Sequence, residues 1–437
     1  MRIRARRQII DAEMPLLPAD PPPGPFRAEF WRSPLRGPWL SSLLGSAMLP
    51  LFLLCMVTGY LSHAAYDPSL GHNSVSSGGI VPYFFHWPTH PAWLYAATQG
   101  IHIAAGIALA PVLLAKLWSV IPKLFEWPAV RSPAHAIERL SIALLVASSL
   151  FTLVSGLFNS EIFYPWRFSF VPVHYYAAIL FTASLAFHVA VKFRVIRQAF
   201  RDRGVIAPLR ESLADTQPEP PAHDTTAPTS PALPTISRRG FVGTVGVASL
   251  AVGVSAAGQS IGGPLRQLAI FAPRGRVPAP GPNGFQVNKT ASSVGVTAEE
   301  TGAHWSLRVV GPDGRSLTFS REQLLALPQR TQDLPIACVE GWSTTQRWTG
   351  VPLGTIADLI GAESRDLLAV QSLQRRGEFR QTTLAANQAD DGRSLLALRV
   401  NGVDLSIDHG FPARIIVPAL PGVHCTKWVS SLEFTAA

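Results

Sequence analysis

The chemistry of this chain centres on one thiol. The stretch Leu334-Pro-Ile-Ala-Cys-Val-Glu-Gly-Trp-Ser343 places Cys338 in what reads as an irregular loop. The chain has three cysteines, and the other two are Cys55, inside an apolar run, and Cys425, near the C-terminal end. Three thiols so far apart do not make a disulfide framework, whereas a lone soft thiolate suits a metal. Taken alone, a cysteine is as readily a small buried hydrophobe, and Cys425 reads that way.

A second group of candidates lies in the N-terminal half. His102 falls in one long apolar run, and His174 and His188 fall in another. Ionisable side chains inside such runs mark function by default. The 14-residue spacing of His174 and His188 is about 21 Å along a helix and nearly four whole turns, so both face one way. Two histidines placed like this on one helix can stack two haems across a bilayer. The competing reading is polar histidines near the interfaces.

The elements that must position these residues follow from composition and charge. Charged residues make up only 15% of the 437 residues, mean hydropathy is +0.21, and there are eleven tryptophans. Four apolar runs, Trp39 to about Tyr60, then about 100–121, 140–158 and 172–192, are each near the ~20 residues a membrane-spanning helix needs. A formal net charge of +9 would suit nucleic acid, but the positive charge sits in loops beside the apolar runs. Residues 1–38 carry seven Lys/Arg, 64–99 none, Lys116–Arg139 four, 159–171 only Arg167, and Lys192–Arg239 eight. That alternation predicts a cytoplasmic N-terminus and argues topology, not nucleic-acid binding. Tyr83, Trp87, Trp93 and Trp166 suit an outer aromatic belt.

Residues 201–236 include Pro218-Glu-Pro-Pro221 and Thr225-Thr-Ala-Pro-Thr-Ser-Pro231, a composition that predicts a disordered linker. Ser237-Arg-Arg-Gly-Phe-Val-Gly243 and the small, mildly apolar residues to Gly262 follow. They resemble an internal twin-arginine export signal and predict a fifth span over 237–262. Residues 263–437 are then extracytoplasmic. Here Trp305–Val310, Leu395–Val400, Arg414–Val417 and Trp428–Phe434 read as strands. Ser320–Leu327, with Ser320 as cap and Gln323 three residues on, and Pro352–Ile360 read as helices. The turns Pro312-Asp-Gly314 and Asn401-Gly402 separate them, giving an α+β domain. The fold class is thus multidomain: an all-α transmembrane four-helix bundle over 39–200 behind a tail of residues 1–38, a fifth transmembrane helix, and the α+β domain.

Two resemblances sharpen this reading. Thr58-Gly-Tyr-Leu-Ser-His63, Gly100-Ile-His-Ile-Ala-Ala-Gly106, Glu138-Arg-Leu-Ser141 and His174-Tyr-Tyr-Ala-Ala178 with His188 resemble the four-helix bacterial cytochrome b family. The resemblance implies His102 and His174 as ligands of an outer haem b iron and His188 as a possible ligand of an inner one. The family's further histidine near the cytoplasmic end of the first span is replaced here by Ser41, Ser42 and Gly45, so one haem is expected and a second stays open. Cys338-Val-Glu-Gly-Trp342, His409-Gly-Phe-Pro-Ala-Arg414 and Gly422-Val-His-Cys-Thr-Lys-Trp-Val429 resemble the sulfite oxidase family of molybdopterin enzymes. That implies Cys338 as the single protein ligand of molybdenum, Arg414 as a fork for the pterin phosphate, and His409, Lys427 and Asn288 in the cofactor pocket. Asn288-Lys289 stands where sulfite oxidases carry a substrate arginine, and no dimerisation domain follows. In both respects the chain is similar to the bacterial periplasmic methionine-sulfoxide reductase branch. The expectation is a multi-pass membrane molybdenum–molybdopterin oxidoreductase exchanging electrons with a haem and the quinone/quinol pool, its site reducing an S- or N-oxide. A sulfite-type dehydrogenase running in reverse and a haem-free membrane anchor with an external electron partner remain alternatives.

Overall fold

The structure, a computed structural model, describes residues 20–66, 85, 87–220, 226–362, 367–377 and 379–435. Tyr83 of the expected aromatic belt and residues 1–19 of the tail lie outside them. Among the described residues, five helices are long and apolar enough to cross a membrane: α1 (Pro38–Ala65), α2 (Leu94–Val120), α3 (Pro133–Ser160), α4 (Phe170–Arg203) and α6 (Arg238–Ile261). The first four outrun the apolar runs read from sequence, because polar residues at a helix end continue its hydrogen bonds beyond the apolar run, whereas α6 lies within the expected 237–262. Large apolar side chains such as Leu114, Leu140, Phe187 and Val247 stand exposed on them, as lipid-facing positions require.

The chain forms two compact units. The first comprises residues 1–53, 106–154 and 174–252. It holds the first part of the segment expected to be a disordered linker. Residues 201–220 are ordered by charge pairing and include a short helix α5 (Ala207–Arg210). Arg203 and Arg238 both pair with Glu211, at 2.8 and 2.5 Å. Glu219 accepts from the backbone N–H of Trp39 at 3.0 Å, and the Trp39 indole donates to the Gly204 carbonyl at 2.8 Å. Arg238, the first arginine of the twin-arginine-like pair, is fully buried there and donates to the Gln217 and Pro34 carbonyls. Proline-rich composition opposes regular structure, but the ion pairs of Glu211 and the hydrogen bonds between Glu219 and Trp39 hold residues 201–220 in place.

The second unit comprises residues 54–105, 155–173 and 253–437. Its sheet-bearing part holds α7 (Ala291–Val294), β1 (Ser306–Val310), β2 (Ser316–Ser320), α8 (Arg321–Ala326), β3 (Arg330–Ala337), β4 (Ser343–Pro352) and α9 (Leu353–Ile360). These are followed by β5 (Leu367–Ser372), β6 (Gln381–Ala385), α10 (Ala386–Ala389), β7 (Leu395–Val400), β8 (Val403–Asp404), β9 (Arg414–Ile416) and β10 (Val429–Thr435). One sheet runs β2-β1-β10-β5-β6, with β1 and β10 parallel and the other pairs antiparallel. The other runs β3-β4-β7-β8, with β9 paired to β7. Alternate residues Leu307, Val309, Leu368, Val370, Leu432 and Phe434 of the first sheet join Val351, Leu396, Leu398 and Ile415 of the second in one core, under α9. The other face of the second sheet, with Leu334, Ile336, Trp348, Leu395 and Ala397, makes a smaller core that also contains Cys338 and Cys425. Strand β7 is thus buried on both faces, which is why it reads as a continuous apolar run.

Candidate active site

Strand β3 delivers Cys338, and the chain reverses at once into β4. The thiol therefore sits in the tight turn of a hairpin, not in an irregular loop. The Cys338 N–H donates to the Trp342 carbonyl at 2.9 Å and the Gly341 N–H to the Cys338 carbonyl at 3.0 Å. Gly341 holds φ +95°, a conformation that favours glycine. Strand β9 carries Arg414 next to β7, and the segment before β10 carries Lys427. Phe285, Asn288, Cys338, His409, Arg414 and Lys427 line one cavity. All five pocket residues expected from sequence are thus together.

The cavity is built for an anion. The Arg414 guanidinium donates to the His409 and Cys425 carbonyls, both at 3.0 Å, and its Nε has no partner among the described residues. The Lys427 ammonium donates to the Lys289 carbonyl at 2.5 Å and the Asp408 carbonyl at 3.0 Å. Among the described residues neither cation has a carboxylate within ion-pair distance, though both are buried. Burial lowers Arg414 to about 10 and pushes Lys427 well below its ordinary value, and the Arg414 charge adds to the lowering of Lys427 by repulsion. An anionic group held between them removes that penalty.

His409 stacks on Phe285 with ring centroids 3.7 Å apart. Its Nε2 donates to the Asn283 carbonyl at 2.9 Å, so Nδ1 is the unprotonated nitrogen. Burial first, then Arg414 and Lys427, lower its pKa to about 4 and keep the ring neutral at pH 7. The Cys338 thiol is pushed up, chiefly by burial and then by the Glu340 carboxylate. A bare thiolate is therefore disfavoured, and a bound metal cation reverses that, because a coordinating thiol is deprotonated outright. The soft thiolate, the two unpaired cations and the orphaned Nε of Arg414 fit a metal held by an anionic organic cofactor.

Two contributors escaped the sequence reading. Arg274 binds Glu340 through two nitrogens, at 2.7 and 2.8 Å, and donates to the Val287 and Asn288 carbonyls. It ties the Cys338 turn to the Asn288 segment. Phe285 supplies the face on which His409 stacks. Neither lies in a periodic or motif-like stretch, and the partners of Arg274 include backbone carbonyls that no residue pattern reveals. Cys425, read as a bystander, contributes its carbonyl to Arg414.

The histidines expected to hold haem divide between the two units. His102 of α2 belongs to the second, and His174 and His188 of α4 to the first. The Nδ1 of His102 donates to the Cys55 carbonyl at 2.8 Å, the kind of bond by which a metal-ligating histidine fixes its ring. Gly59 makes room for the ring, since a Cβ there would lie 2.6 Å from Cε1. These two features fit an axial haem ligand. Facing Ser41 and Gly45, where the cytochrome pattern is broken, Lys116 donates to the Ser41 carbonyl at 2.6 Å. Among the described residues no group of three or more His, Cys, Asp or Glu side chains is placed to hold a metal ion.

Residues 294–437 match the family model described as Oxidoreductase molybdopterin binding domain. The uncharacterized oxidoreductase YuiH of Bacillus subtilis (strain 168) is 32% identical over 132 residues, covering 30% of this chain and 65% of that protein. The putative protein-methionine-sulfoxide reductase subunit YedZ1 of Azospira oryzae is 31% identical over 137 residues, 31% of this chain and 51% of that protein. The sulfite oxidase of Arabidopsis thaliana is 31% identical over 90 residues, 20% of this chain and 23% of that protein. The chain thus spans less than two thirds of the length of each of these relatives. The family match begins at residue 294 and takes in every described strand and the Cys338, His409, Arg414 and Lys427 positions, so the C-terminal part of this chain is similar to an oxidoreductase molybdopterin-binding domain.

Proposed function

We propose that this chain is a membrane-bound molybdopterin-dependent oxidoreductase that passes electrons between a haem b, fed by the quinol pool, and a molybdenum site at Cys338, where an S- or N-oxide is reduced. The observation that carries this reading is the pair of buried cations, Arg414 and Lys427, with no carboxylate at ion-pair distance among the described residues, beside a buried thiol in one cavity. When bound, the molybdenum cofactor supplies two-electron oxygen-atom transfer and haem supplies one-electron steps. Cys338 ligates the metal, and Arg414 presents its planar fork to the cofactor phosphate with Lys427 beside it. Neutral His409, braced by Phe285 and the Asn283 carbonyl, and Asn288 complete the pocket wall. His102 offers Nε2 to the haem iron, with His174 as its partner ligand and His188 as the candidate for a second haem.

The choice of an S-oxide is supported by the similarity to a putative protein-methionine-sulfoxide reductase subunit. The Lys/Arg alternation supports a cytoplasmic N-terminus, a membrane domain over 39–200, a fifth span over 237–262 and an extracytoplasmic domain over 263–437. The test is a reduced-minus-oxidised spectrum with metal analysis for wild type and His102→Ala, together with a viologen-driven assay on methionine sulfoxide. A b-type band lost in the variant, about one molybdenum per chain and sulfoxide-dependent dye oxidation are the expected results. Molybdenum without any haem band would sink the membrane electron route, and absence of molybdenum would sink the whole reading.

A further inference from the structure

The Cys338 turn uses its own backbone groups sparingly. Cys338 N–H and C=O are satisfied inside the turn. The next three carbonyls, of Val339, Glu340 and Gly341, are received by side chains from the long helices and the end of α6. Gln99 of α2 donates to the Val339 carbonyl at 2.8 Å, with Asn159 of α3 at 3.4 Å from the same oxygen. Gln259 of α6 reaches the Glu340 carbonyl at 3.4 Å. Ser260 of α6 donates to the Gly341 carbonyl at 2.6 Å, and the Ser343 hydroxyl returns a bond to the Ser260 carbonyl.

The packing around these bonds is close. A Cβ at Gly341 would lie 2.5 Å from the Ile103 side chain, and one at Gly100 would lie 2.8 Å from the Ser260 Cβ. Gln99, Ser260 and Ser343 are all buried, so water does not compete for these carbonyls. Carbonyl directions set the peptide planes, and the planes of residues 338–341 set where the Cys338 Cβ–Sγ bond aims. The α2 stripe that carries Gln99 also carries His102, three residues on.

We propose that Gln99 and Ser260 are positioning residues for Cys338, so that the ends of two apolar, membrane-length helices template the turn that presents the metal ligand. The proposal rests on the reading of Cys338 as the molybdenum ligand. It places the shape of the metal site partly outside residues 294–437, in helices that the molybdopterin-binding family match does not include.

The experiment uses the full-length, cofactor-loaded protein in detergent. Gln99→Met keeps the side-chain length and removes the donor, and Ser260→Ala removes the other. Molybdenum per chain, the Mo(V) electron paramagnetic resonance signal and viologen-driven sulfoxide reduction are measured, with circular dichroism as the check on folding. Each variant is expected to shift the Mo(V) signal and lower kcat roughly 10–100-fold with little change in KM, the scale seen when a group that orients a metal ligand is removed. Molybdenum loss from a variant whose circular dichroism matches wild type also supports the proposal. A Mo(V) signal superimposable on wild type, with kcat unchanged, overturns it. Cys338→Ser measured alongside separates the two claims. If that variant leaves the signal unchanged, Cys338 is not the ligand and the functional reading falls. If it alters the signal while Gln99→Met and Ser260→Ala do not, only the positioning role is overturned.

Discussion

Replacing Arg274 by methionine tests how the site is held together. The Arg274 and Glu340 side chains are 20% and 10% exposed, and Nε and Nη2 meet the two carboxylate oxygens at 2.7 and 2.8 Å. The same guanidinium donates to the Val287 carbonyl at 2.6 Å and the Asn288 carbonyl at 2.9 Å. In Arg274→Met, the Glu340 carboxylate keeps the Trp342 indole N–H at 3.0 Å and loses its counter-charge. Removing one partner of a buried pair costs about 3–5 kcal/mol, because the remaining charge stays desolvated. For a domain of this size, ~2–4 °C per kcal/mol makes that a fall of roughly 10 °C in the melting midpoint. Thermal unfolding of the purified chain, followed by tryptophan fluorescence, reads it directly. The double variant Arg274→Met/Glu340→Gln removes the stranded charge and should recover most of the loss, which a double-mutant cycle quantifies. A midpoint for Arg274→Met within roughly 2 °C of wild type, or a double variant no better than the single, refutes the reasoning.

Three further outcomes follow from the same structure. Arg414→Met and Lys427→Met each remove a buried cation worth about 1.5–3 kcal/mol to an anionic partner, so molybdenum retained after dialysis should fall roughly 10–100-fold, read by metal analysis. Gly59→Ala puts a Cβ 2.6 Å from the His102 ring and should abolish any b-type absorbance, whereas Gly45→Ala, whose nearest neighbour is 3.7 Å away, should leave it unchanged. The depressed pKa of His409, from 6.5 to about 4, means its share of stability is whole above about pH 6.5 and is lost as pH falls toward about 4. The melting midpoint of wild type should therefore drop more steeply across that window than that of His409→Gln.

What could be read from sequence was local. The capping box of α8 appears as expected, with Ser320 Oγ accepting from the Gln323 N–H and the Ser320 N–H donating to Gln323 Oε1. The Asn401-Gly402 turn between β7 and β8 has φ +51° and +85°, the two positive values such a turn demands. The long helices declared themselves by apolar length alone. Strand β3 did not, because Pro335 interrupts it and only its last residues alternate toward the core. The parallel pairing of β1 with β10 joins residues more than 120 positions apart, a relation no local pattern encodes. The ordered segment 201–220 was hidden for the same reason, since its Glu211 and Glu219 find their partners at Arg238 and Trp39.

The site divides along the same line. Cys338, Asn288, His409, Arg414 and Lys427 were visible through motif resemblance, and the fold brings them to one cavity. Residue type alone left Arg414 and Lys427 as ordinary surface charges. Burial without a carboxylate changes their meaning, since a charge withdrawn from water needs a counter-charge, and none of the described carboxylates supplies it within ion-pair distance. The chain has therefore kept two strained cations next to a thiol that burial makes reluctant to ionise. Each is unfavourable by itself. An anion bearing a soft metal relieves all three at once, so cofactor binding and the stability of this cavity are one equilibrium, and the loaded domain should melt higher than the empty one by an amount set by cofactor affinity.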